Sequence, residues 1–307
     1  MSRISTTTGV SIPNATNRAR WLARVHDFVE LTKPRIVMLE LVTVVVAAHL
    51  ASPWGISAAV LLHTVLGASL VAASAGAFNQ WWEQSTDALM KRTCVRPLPA
   101  GRLADRDVLL FGAGTLVLGT LELTLAVSWI TAAMALATWL IYVLVYTPLK
   151  TRSPLNTTVG AISGALPILI GWTATGAAID TRALSVVAVM FLWQFPHFMA
   201  IAWLYRGEYA KAGQRMLTVV DPTGLRAGAQ GVVGALLLIP VSLVPAMSPS
   251  AGSPVIYAFW ALVLGLLQAI VSVLFLIHRD ERSARRLLRA SLVYLICWMG
   301  LLLMVAV

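Results

Sequence analysis

The sequence has 307 residues, of which 58% are hydrophobic and only 12% are charged. This small number of charged side chains cannot cover the surface of a soluble domain. The composition therefore excludes an ordinary soluble protein and predicts a protein embedded in lipid. Lys and Arg number 23 against 13 Asp and Glu, a formal net charge of +10. In a membrane protein this excess indicates basic cytoplasmic loops, and we expect no nucleic-acid partner.

Nine hydrophobic runs are each long enough for a helix to cross a hydrocarbon core of about 30 Å. In lipid the backbone must satisfy its own hydrogen bonds, so these runs predict helices and not strands. They lie at about 35–52, 57–80, 107–126, 129–148, 157–177, 183–205, 228–247, 255–277 and 287–307. The predicted fold class is all-α, a polytopic membrane protein with nine transmembrane helices. The shortest break between two runs is at 126–129. If it does not separate two helices, the number of crossings is eight and not nine.

The distribution of basic residues supports nine crossings. With nine helices and a cytoplasmic N-terminus, every Lys and Arg except Arg182 falls on the cytoplasmic side. This is the asymmetry that the positive-inside rule requires. We therefore predict a polar cytoplasmic tail over residues 1–33 and a transmembrane domain over residues 34–307.

Oxygen-bearing side chains recur at every fourth position where the second predicted span ends, at Asn79, Glu83 and Asp87. Each step of four residues drifts by only about 40° around a helix, so the three side chains form one stripe about 12 Å long. Such a stripe suits Mg²⁺, which takes one or two carboxylates together with water and substrate phosphate. Arg92 and Arg96 follow, and guanidinium groups match phosphate oxygens. The alternative is a solvated helix end whose cations favour the helix dipole.

A second polar cluster follows the sixth predicted span and combines aromatic, acidic and basic side chains. Its members are Tyr205, Arg206, Glu208, Tyr209 and Lys211. Tyr146 and Lys150 mark a third loop on the same side of the membrane. We expect these three loops to close over a diphosphate. The alternative for Arg206 and Glu208 is a surface ion pair of little consequence.

Three ionisable residues lie within or near the predicted spans. His197 lies in an aromatic stretch beside Pro196. A histidine in such a stretch is more often a packed core residue, and the alternative is that it binds a ligand. Glu40 and Glu122 have no role that chemistry alone assigns.

The stretch from Asn79 to Leu98 resembles the first acidic motif of the UbiA superfamily of intramembrane prenyltransferases. It has Asn79, Glu83 and Asp87 at the spacing described, then Met90-x-Arg92-Thr93 and Arg96-Pro97-Leu98. Other stretches within residues 30–225 are similar to the haem branch of that superfamily, the protohaem IX farnesyltransferases. They are Leu31-Thr32-Lys33-Pro34-Arg35, Tyr146-Thr147-Pro148-Leu149-Lys150, Ser153-Pro154-Leu155-Asn156, Gly164-Ala165-Leu166-Pro167, Trp193-Gln194-Phe195-Pro196-His197-Phe198 and Tyr205-Arg206-x-Glu208-Tyr209-x-x-x-Gly213-x-x-Met216-Leu217.

The resemblance implies helices around a central cavity and an enzyme that joins the farnesyl group of farnesyl diphosphate to a vinyl group of haem B. The products are haem O and diphosphate, in the haem biosynthesis that serves terminal oxidases. The implied cofactor is Mg²⁺, and haem B is a substrate and not a permanent cofactor. Carried over to this sequence, the resemblance implies that Asn79, Glu83 and Asp87 bind the metal and that Arg92, Arg96 and Lys150 bind the diphosphate. It assigns Tyr205, Arg206 and Glu208 to the second motif. It implies that Tyr146, His197, Tyr209 and Lys211 contact a substrate.

Two departures from the wider superfamily affect these expectations. Most members have Asp where Glu83 stands, and a second Asp-rich motif where this chain has Arg206-Gly207-Glu208-Tyr209. The haem branch shares both features. We therefore expect one Mg²⁺ and not two.

The resemblance also implies a bacterial plasma membrane, an active site toward the cytoplasm, and the lipid bilayer and a haem A synthase as partners. Two alternatives stay open. A UbiA-type prenyltransferase acting on a quinone or chlorophyll precursor would share the first motif. A secondary transporter would place polar groups near the middle of the membrane, often within inverted repeats, whereas the polar residues here cluster at the cytoplasmic ends.

Overall fold

The computed structural model describes residues 17–52, 55–247 and 253–305. Within those ranges it contains helices and no strands, and nine helical segments are long and apolar enough to cross a membrane. These findings confirm the prediction of an all-α polytopic fold. The first part of the predicted tail, residues 1–16 with Arg3, lies outside the described residues.

The helices follow one another in a simple order along the chain. Helix α1 (Asn17–Leu31) precedes the spans. The first three spans are α2 (Pro34–Ala51), α3 (Ala58–Asp87) and α4 (Asp105–Ala126). The fourth span begins with α5 (Trp129–Leu140) and continues through a π-helical turn (Ile141–Tyr146) into α6 (Thr147–Leu149). The fifth and sixth spans are α7 (Asn156–Ala165) with α8 (Pro167–Ala174), and α9 (Thr181–Leu204). Two short helices, α10 (Arg206–Lys211) and α11 (Leu217–Val220), lead to the last three spans, α12 (Leu225–Leu243), α13 (Pro254–His278) and α14 (Glu281–Val305).

The short break at 126–129 is a genuine turn between two helices. The Ser128 side chain accepts a hydrogen bond of 3.1 Å from the backbone N–H of Thr131, which caps the new helix α5. The preceding helix α4 ends at Ala126. The fourth crossing is therefore separate from the third, and the count of nine stands for the described ranges.

The start of the last span differs from the prediction at residue 287, because α14 begins at Glu281. Asp280 and Ser283 form a reciprocal cap before it. The backbone N–H of Ser283 donates to Asp280 Oδ1 at 2.6 Å, and the N–H of Asp280 donates to Ser283 Oγ at 3.3 Å. These bonds lower the pKa of the Asp280 carboxyl. The polar first turn, which hydropathy cannot distinguish from a loop, is therefore helical.

Two spans depart from regular α-helix. In the π-helical turn, the backbone N–H of Thr147 donates to the carbonyl oxygen of Tyr142, five residues earlier. The span predicted at 157–177 is divided into α7 and α8 at Leu166 and Pro167, because a proline inside a helix removes one hydrogen bond and its ring crowds the preceding turn. Because π-helical turns are frequent at functional sites, this turn indicates a functional site near residues 141–147.

Small residues allow close approach between helices, as in other membrane bundles. A Cβ on Gly171 of α8 would overlap the backbone carbonyl of Val44 in α2, and a Cβ on Gly119 of α4 would lie 2.8 Å from the carbonyl oxygen of Gly67 in α3. The largest apolar cluster contains Trp172 and Trp298 and includes the outer parts of α8, α9 and α14. The outer half of the bundle is closed by this packing.

Candidate active site

The polar stripe forms the last turns of α3, which continues without a break to Asp87. Asn79, Glu83 and Asp87 are 0%, 6% and 1% exposed. The stripe is thus not a solvated helix end. Buried carboxylates are unfavourable unless they are paired, and both of these are.

The two carboxylates of the stripe are neutralised by cations from other segments. Lys150 Nζ lies 2.6 Å from Glu83 Oε1, and Arg96 Nη1 donates to Asp87 Oδ2 at 2.6 Å. Burial by itself lowers the pKa of Lys150, but the nearby Glu83 carboxylate more than reverses this, so the pKa of Lys150 is raised. Both cations are charged and are already positioned where an anion at the stripe would lie.

Asn79 accepts a hydrogen bond from Lys33, which has no predicted role of its own in the Leu31-Thr32-Lys33-Pro34-Arg35 stretch. Lys33 Nζ donates to Asn79 Oδ1 at 2.5 Å, and Asn79 Nδ2 donates to Thr147 Oγ1 at 2.9 Å. The φ of Lys33 is 55°, in the left-handed region that side-chain-bearing residues rarely adopt. Burial, and then the charges of Arg96 and Lys150, lower the pKa of Lys33 to about 7. A strained backbone therefore brings a third amine or guanidine group onto the stripe.

The loops that follow α3 and α9 meet at the cytoplasmic side of the stripe. The backbone N–H of Arg92 donates to Glu208 Oε2 at 3.3 Å, and the Arg92 guanidinium lies 4.8 Å from the ring centroid of Tyr205. Tyr209 is buried beside Met90 in a small apolar cluster. Burial raises the pKa of Tyr209. The structure thus brings together the first and second predicted clusters.

The loop after α6 joins the same region. Lys150 Nζ lies 4.6 Å from the ring centroid of Tyr146, and the carbonyl of Lys150 accepts a hydrogen bond of 2.6 Å from the backbone N–H of Arg215. Asn156 Nδ2 donates to the carbonyl of Arg215 at 3.1 Å. Three loops that are distant in sequence therefore share one site.

Two residues of the second cluster lie apart from the stripe. Arg206 Nη1 donates to the carbonyl of Trp203 at 2.6 Å, and its guanidinium lies 4.4 Å from the Trp203 ring centroid. It makes no ion pair with Glu208 in the described part of the chain. Lys211, at the end of α10, is exposed. The predicted substrate contacts of Arg206 and Lys211 stay predictions.

His197 is half-buried in α9 and contacts α14. Its ring stacks on Trp193 at a centroid distance of 4.7 Å, and its Nδ1 lies 2.9 Å from Ser291 Oγ. The Ser291 hydroxyl also lies 2.8 Å from the carbonyl oxygen of Leu288. These contacts connect α9 to α14 and orient the imidazole ring.

Two residues of the site had no predicted role, Lys33 and Thr147. A signal existed for Lys33, since it is a basic residue next to the first span within a quoted motif. Thr147 also lies within a motif, Tyr146-Thr147-Pro148-Leu149-Lys150, but the π-helical turn that directs it toward Asn79 leaves no mark in composition or hydropathy.

One other group of side chains could hold a metal ion by proximity among the described residues. It consists of His26, Asp27 and Glu30 on α1. Arg102 already neutralises it, with Nε 3.3 Å from Asp27 Oδ1 and Nη2 2.6 Å from Glu30 Oε2. This group lies on α1, which precedes the spans, and Arg102 ties it to the loop that follows α3.

Known proteins are similar in sequence to this chain over most of its length. The UbiA prenyltransferase family matches residues 41–300. A protein of Solibacter usitatus named protoheme IX farnesyltransferase is 41% identical over 288 residues, covering 91% of this chain and 98% of the relative. A protein of Rhodopirellula baltica with the same name is 43% identical over 279 residues, covering 87% and 95%.

Solved structures share the fold at lower identity. The structure described as a digeranylgeranylglyceryl phosphate synthase in membranes has a TM-score of 0.77 at 15% identity, covering 92% of this chain and 99% of its own. A UbiA homologue from Archaeoglobus fulgidus, bound to DMAPP and Mg²⁺, has a TM-score of 0.60 at 16% identity, covering 90% and 99%. By the family match and the identity to its relatives, this chain belongs to the UbiA prenyltransferase family, as the resemblance of its motifs predicted.

Proposed function

We propose that this chain transfers the farnesyl group of farnesyl diphosphate to a vinyl group of haem B, giving haem O and diphosphate. One observation carries the proposal: a buried carboxylate stripe lined by cations from several segments, in a chain 41% and 43% identical to two proteins named protoheme IX farnesyltransferase. The stripe suits a diphosphate, and the names of the relatives indicate which acceptor receives the prenyl group.

The stripe fits a divalent metal, and we propose Mg²⁺. Asn79, Glu83 and Asp87 offer one amide oxygen and two carboxylates on one buried helix face, and Mg²⁺ takes one or two protein carboxylates and leaves positions for phosphate. The Archaeoglobus fulgidus homologue binds DMAPP with Mg²⁺, which supports the same choice here. When bound, the metal supplies positive charge that stabilises a diphosphate leaving group.

The cations of the chain serve the same leaving group. When the allylic C–O bond breaks, its electron pair stays on the diphosphate, and negative charge grows there. Lys33, Arg96 and Lys150 already point to the stripe oxygens at 2.5–2.6 Å. They can exchange these partners for phosphate oxygens without large movement. Preorganised positive charge of this kind stabilises the ionised state and needs no general acid.

The farnesyl cation must be kept from bulk water until the vinyl group reaches it. Tyr142 and Tyr146 stand next to the diphosphate cations with ring centroids 5.3 Å apart. The faces of aromatic rings stabilise cations and exclude water. The vinyl π electrons then form the new carbon–carbon bond, and water captures the cation that results on the haem side chain.

His197 is the candidate contact to haem B. Its Nδ1 contacts Ser291, which leaves Nε2 to contact haem B, either as a ligand to the iron or as a partner of a propionate.

The proposed setting is a bacterial plasma membrane with the active site toward the cytoplasm. The restriction of basic residues to one side supports this orientation, and the two relatives described above are bacterial proteins. A haem A synthase is the proposed partner.

Incubation of membranes containing the chain with farnesyl diphosphate and haem B, with and without added Mg²⁺, tests the function. We expect haem O, identified by pigment extraction and chromatography, when both substrates and Mg²⁺ are present. Chelation of the metal should abolish the product, and its re-addition should restore it. Membranes carrying Asp87→Ala at the same protein level are the matched control.

Two results would replace the proposal by one of the alternatives. Prenylation of a quinone or chlorophyll precursor, with haem B left unchanged, would indicate a sister prenyltransferase. Movement of a substrate across the membrane without release of diphosphate would indicate a transporter.

A further inference from the structure

The turn between α1 and α2 contacts two consecutive residues of α3. Lys33, the last residue before α2, donates from Nζ to Asn79 Oδ1 at 2.5 Å. Gln80, the next residue of α3, donates from Nε2 to the carbonyl oxygen of Leu31 at 2.9 Å. One side chain of α3 therefore receives the amine of this turn, and its neighbour holds the backbone two residues earlier.

Gln80 has no role in the chemistry described above, and stability alone explains it poorly. Its side chain is 1% exposed, and its Oε1 has no hydrogen-bond partner among the described residues. A buried oxygen without a partner is unfavourable and offsets the gain from the hydrogen bond of Nε2. The amide is better explained by the backbone that it holds in place.

The Leu31 carbonyl is a fixed point of that backbone. Leu31 is the last residue of α1, and the carbonyl groups at a helix end lack a partner within the helix. Gln80 supplies one from α3. The Leu31 side chain is 0% exposed and packs in an apolar cluster with Leu98, Leu103 and Val108. Both the backbone and the side chain of Leu31 are therefore fixed before the turn begins.

A glycine one helical turn before Gln80 lets the backbone of the turn lie directly on α3. A Cβ on Gly76 would lie 3.0 Å from the carbonyl oxygen of Leu31 and 3.3 Å from that of Thr32. At these distances the turn would have to move by a few tenths of an ångström. The bare surface at Gly76 therefore sets the separation across which Gln80 reaches Leu31.

Lys33 is the residue that requires a fixed turn. Its φ is 55°, although the residue before a proline ordinarily adopts extended backbone, and Pro34 follows it. A residue held in the left-handed region costs free energy and persists only where its surroundings determine that conformation. Gln80 ties the backbone just before Lys33 to α3. Without that tie, a return of Lys33 to extended backbone would take its amine away from Asn79.

We propose that Gln80 is a positioning residue of the diphosphate site and that it acts through Lys33. By holding the Leu31 carbonyl on α3, Gln80 keeps Lys33 in the left-handed conformation in which its amine reaches Asn79. This inference rests on the proposed function, in which Lys33 stabilises the diphosphate leaving group. Gln80 is not a catalytic residue, because its hydrogen bond goes to Leu31 and not to the oxygens of the stripe.

Gln80→Met, which keeps the length of the side chain and removes the donor, is the direct test. Membranes containing each variant are supplied with farnesyl diphosphate, haem B and Mg²⁺, and haem O is measured per unit of membrane-bound protein. We expect kcat/KM for farnesyl diphosphate to fall about ten-fold, because a small displacement of a catalytic group is costly. The KM for haem B should stay within about two-fold, whereas a disturbed fold would affect both substrates.

A double-mutant cycle separates the positioning of Lys33 from a general structural role. Lys33→Met alone should lower haem O formation about 100-fold. Adding Gln80→Met to Lys33→Met should lower it by less than about two-fold more, because the amine that Gln80 positions is already gone. Losses that multiply to about 1000-fold would show that Gln80 acts independently of Lys33, and would overturn the inference.

Thr173→Val is the matched control for the loss of a buried hydrogen bond between helices. Thr131 Oγ1 and Thr173 Oγ1 lie 3.1 Å apart and connect α5 to α8 at the ends of these helices opposite to the stripe. Valine has nearly the shape of threonine and removes this contact. Haem O formation by Thr173→Val should stay within about two-fold of wild type.

Gly76→Ala disturbs the same turn without changing Gln80, and it decides the question if Gln80→Met fails to accumulate in the membrane. The added methyl group presses on the Leu31 carbonyl, so haem O formation should fall at least about three-fold. In the Lys33→Met background the same substitution should have no further effect. An unchanged rate in Gly76→Ala with the wild-type Lys33 would contradict the inference.

The outcomes distinguish this inference from the proposed function. An active wild-type chain together with Gln80→Met at the wild-type rate would refute the positioning role alone. A loss in Gln80→Met when Lys33→Met keeps the wild-type rate would also refute it, since Gln80 could not then act through Lys33. Failure of the wild-type chain to make haem O would instead refute the proposed function.

Discussion

The polar clusters at the cytoplasmic ends of α3 and α9 contain similar residue types but differ in burial and pairing. In the first, Glu83 and Asp87 are nearly inaccessible, and each is paired with a cation from elsewhere in the chain. In the second, Glu208 is half-buried and accepts one backbone N–H, while Arg206 turns back to Trp203. The first cluster therefore holds several buried charged groups together. The second cluster positions the loop that contains Arg92 beside it.

The sharpest way to test this difference is to remove an acid from the first cluster. Asp87→Ala or Glu83→Ala should lower haem O formation at least about 1000-fold, because the metal loses a ligand and a cation loses its counter-charge. Haem O per unit of membrane-bound protein is the quantity to measure. Removing one partner of a buried pair costs about 3–5 kcal/mol of stability, so immunoblots of the membrane fraction must accompany the assay. Haem O formation at the wild-type rate in both variants would show that Asp87 and Glu83 are not metal ligands.

Lys33 tests whether the first cluster extends to the start of α2. Lys33→Met should lower haem O formation about 100-fold. The pKa of Lys33 is about 7 in the free protein, and a bound diphosphate would raise it, so the substitution removes a positive charge from the leaving-group site. Arg35→Met is the matched control, because Arg35 is a nearby basic residue that is exposed, and it should stay within about two-fold of wild type. Equal effects of the two substitutions would mean that charge near the membrane surface matters and not the contact with Asn79.

The second cluster should respond more weakly. Glu208→Gln is expected to lower kcat/KM about ten-fold or less, mainly through the KM for farnesyl diphosphate, because Glu208 holds the Arg92 loop and touches no stripe oxygen. Glu281→Gln, which removes one exposed partner of the pair with Arg285, should have no effect. A loss as large as that of Asp87→Ala would show that both clusters bind metal, as in an enzyme with two acidic motifs.

Composition and periodicity were sufficient for the parts of the structure that repeat. Nine apolar runs predicted nine spans, and the spacing of Asn79, Glu83 and Asp87 predicted that they share one helical stripe, although not that the stripe is buried. Sequence could not supply contacts that depend on local irregularity. The left-handed backbone of Lys33 brings its amine to Asn79, and no pattern signals it. Pro167 lies within the Gly164-Ala165-Leu166-Pro167 motif, but membrane helices tolerate proline, so the break in the fifth span was not predicted.

The π-helical turn at Ile141–Tyr146 fixes the rotational phase of the chain that follows it. One additional residue per turn rotates the next segment by about 100° relative to an uninterrupted α-helix. Thr147 and Lys150, the partners of Asn79 and Glu83, owe their direction to that residue. Deletion of a single residue there would shorten the span by only about 1.5 Å and leave its hydrophobicity nearly unchanged. Such a chain would still insert in the membrane, yet Thr147, which accepts from Asn79, and Lys150, which pairs with Glu83, would both face away from α3. One deletion in an apolar helix would then silence the enzyme while every residue of its motifs was retained.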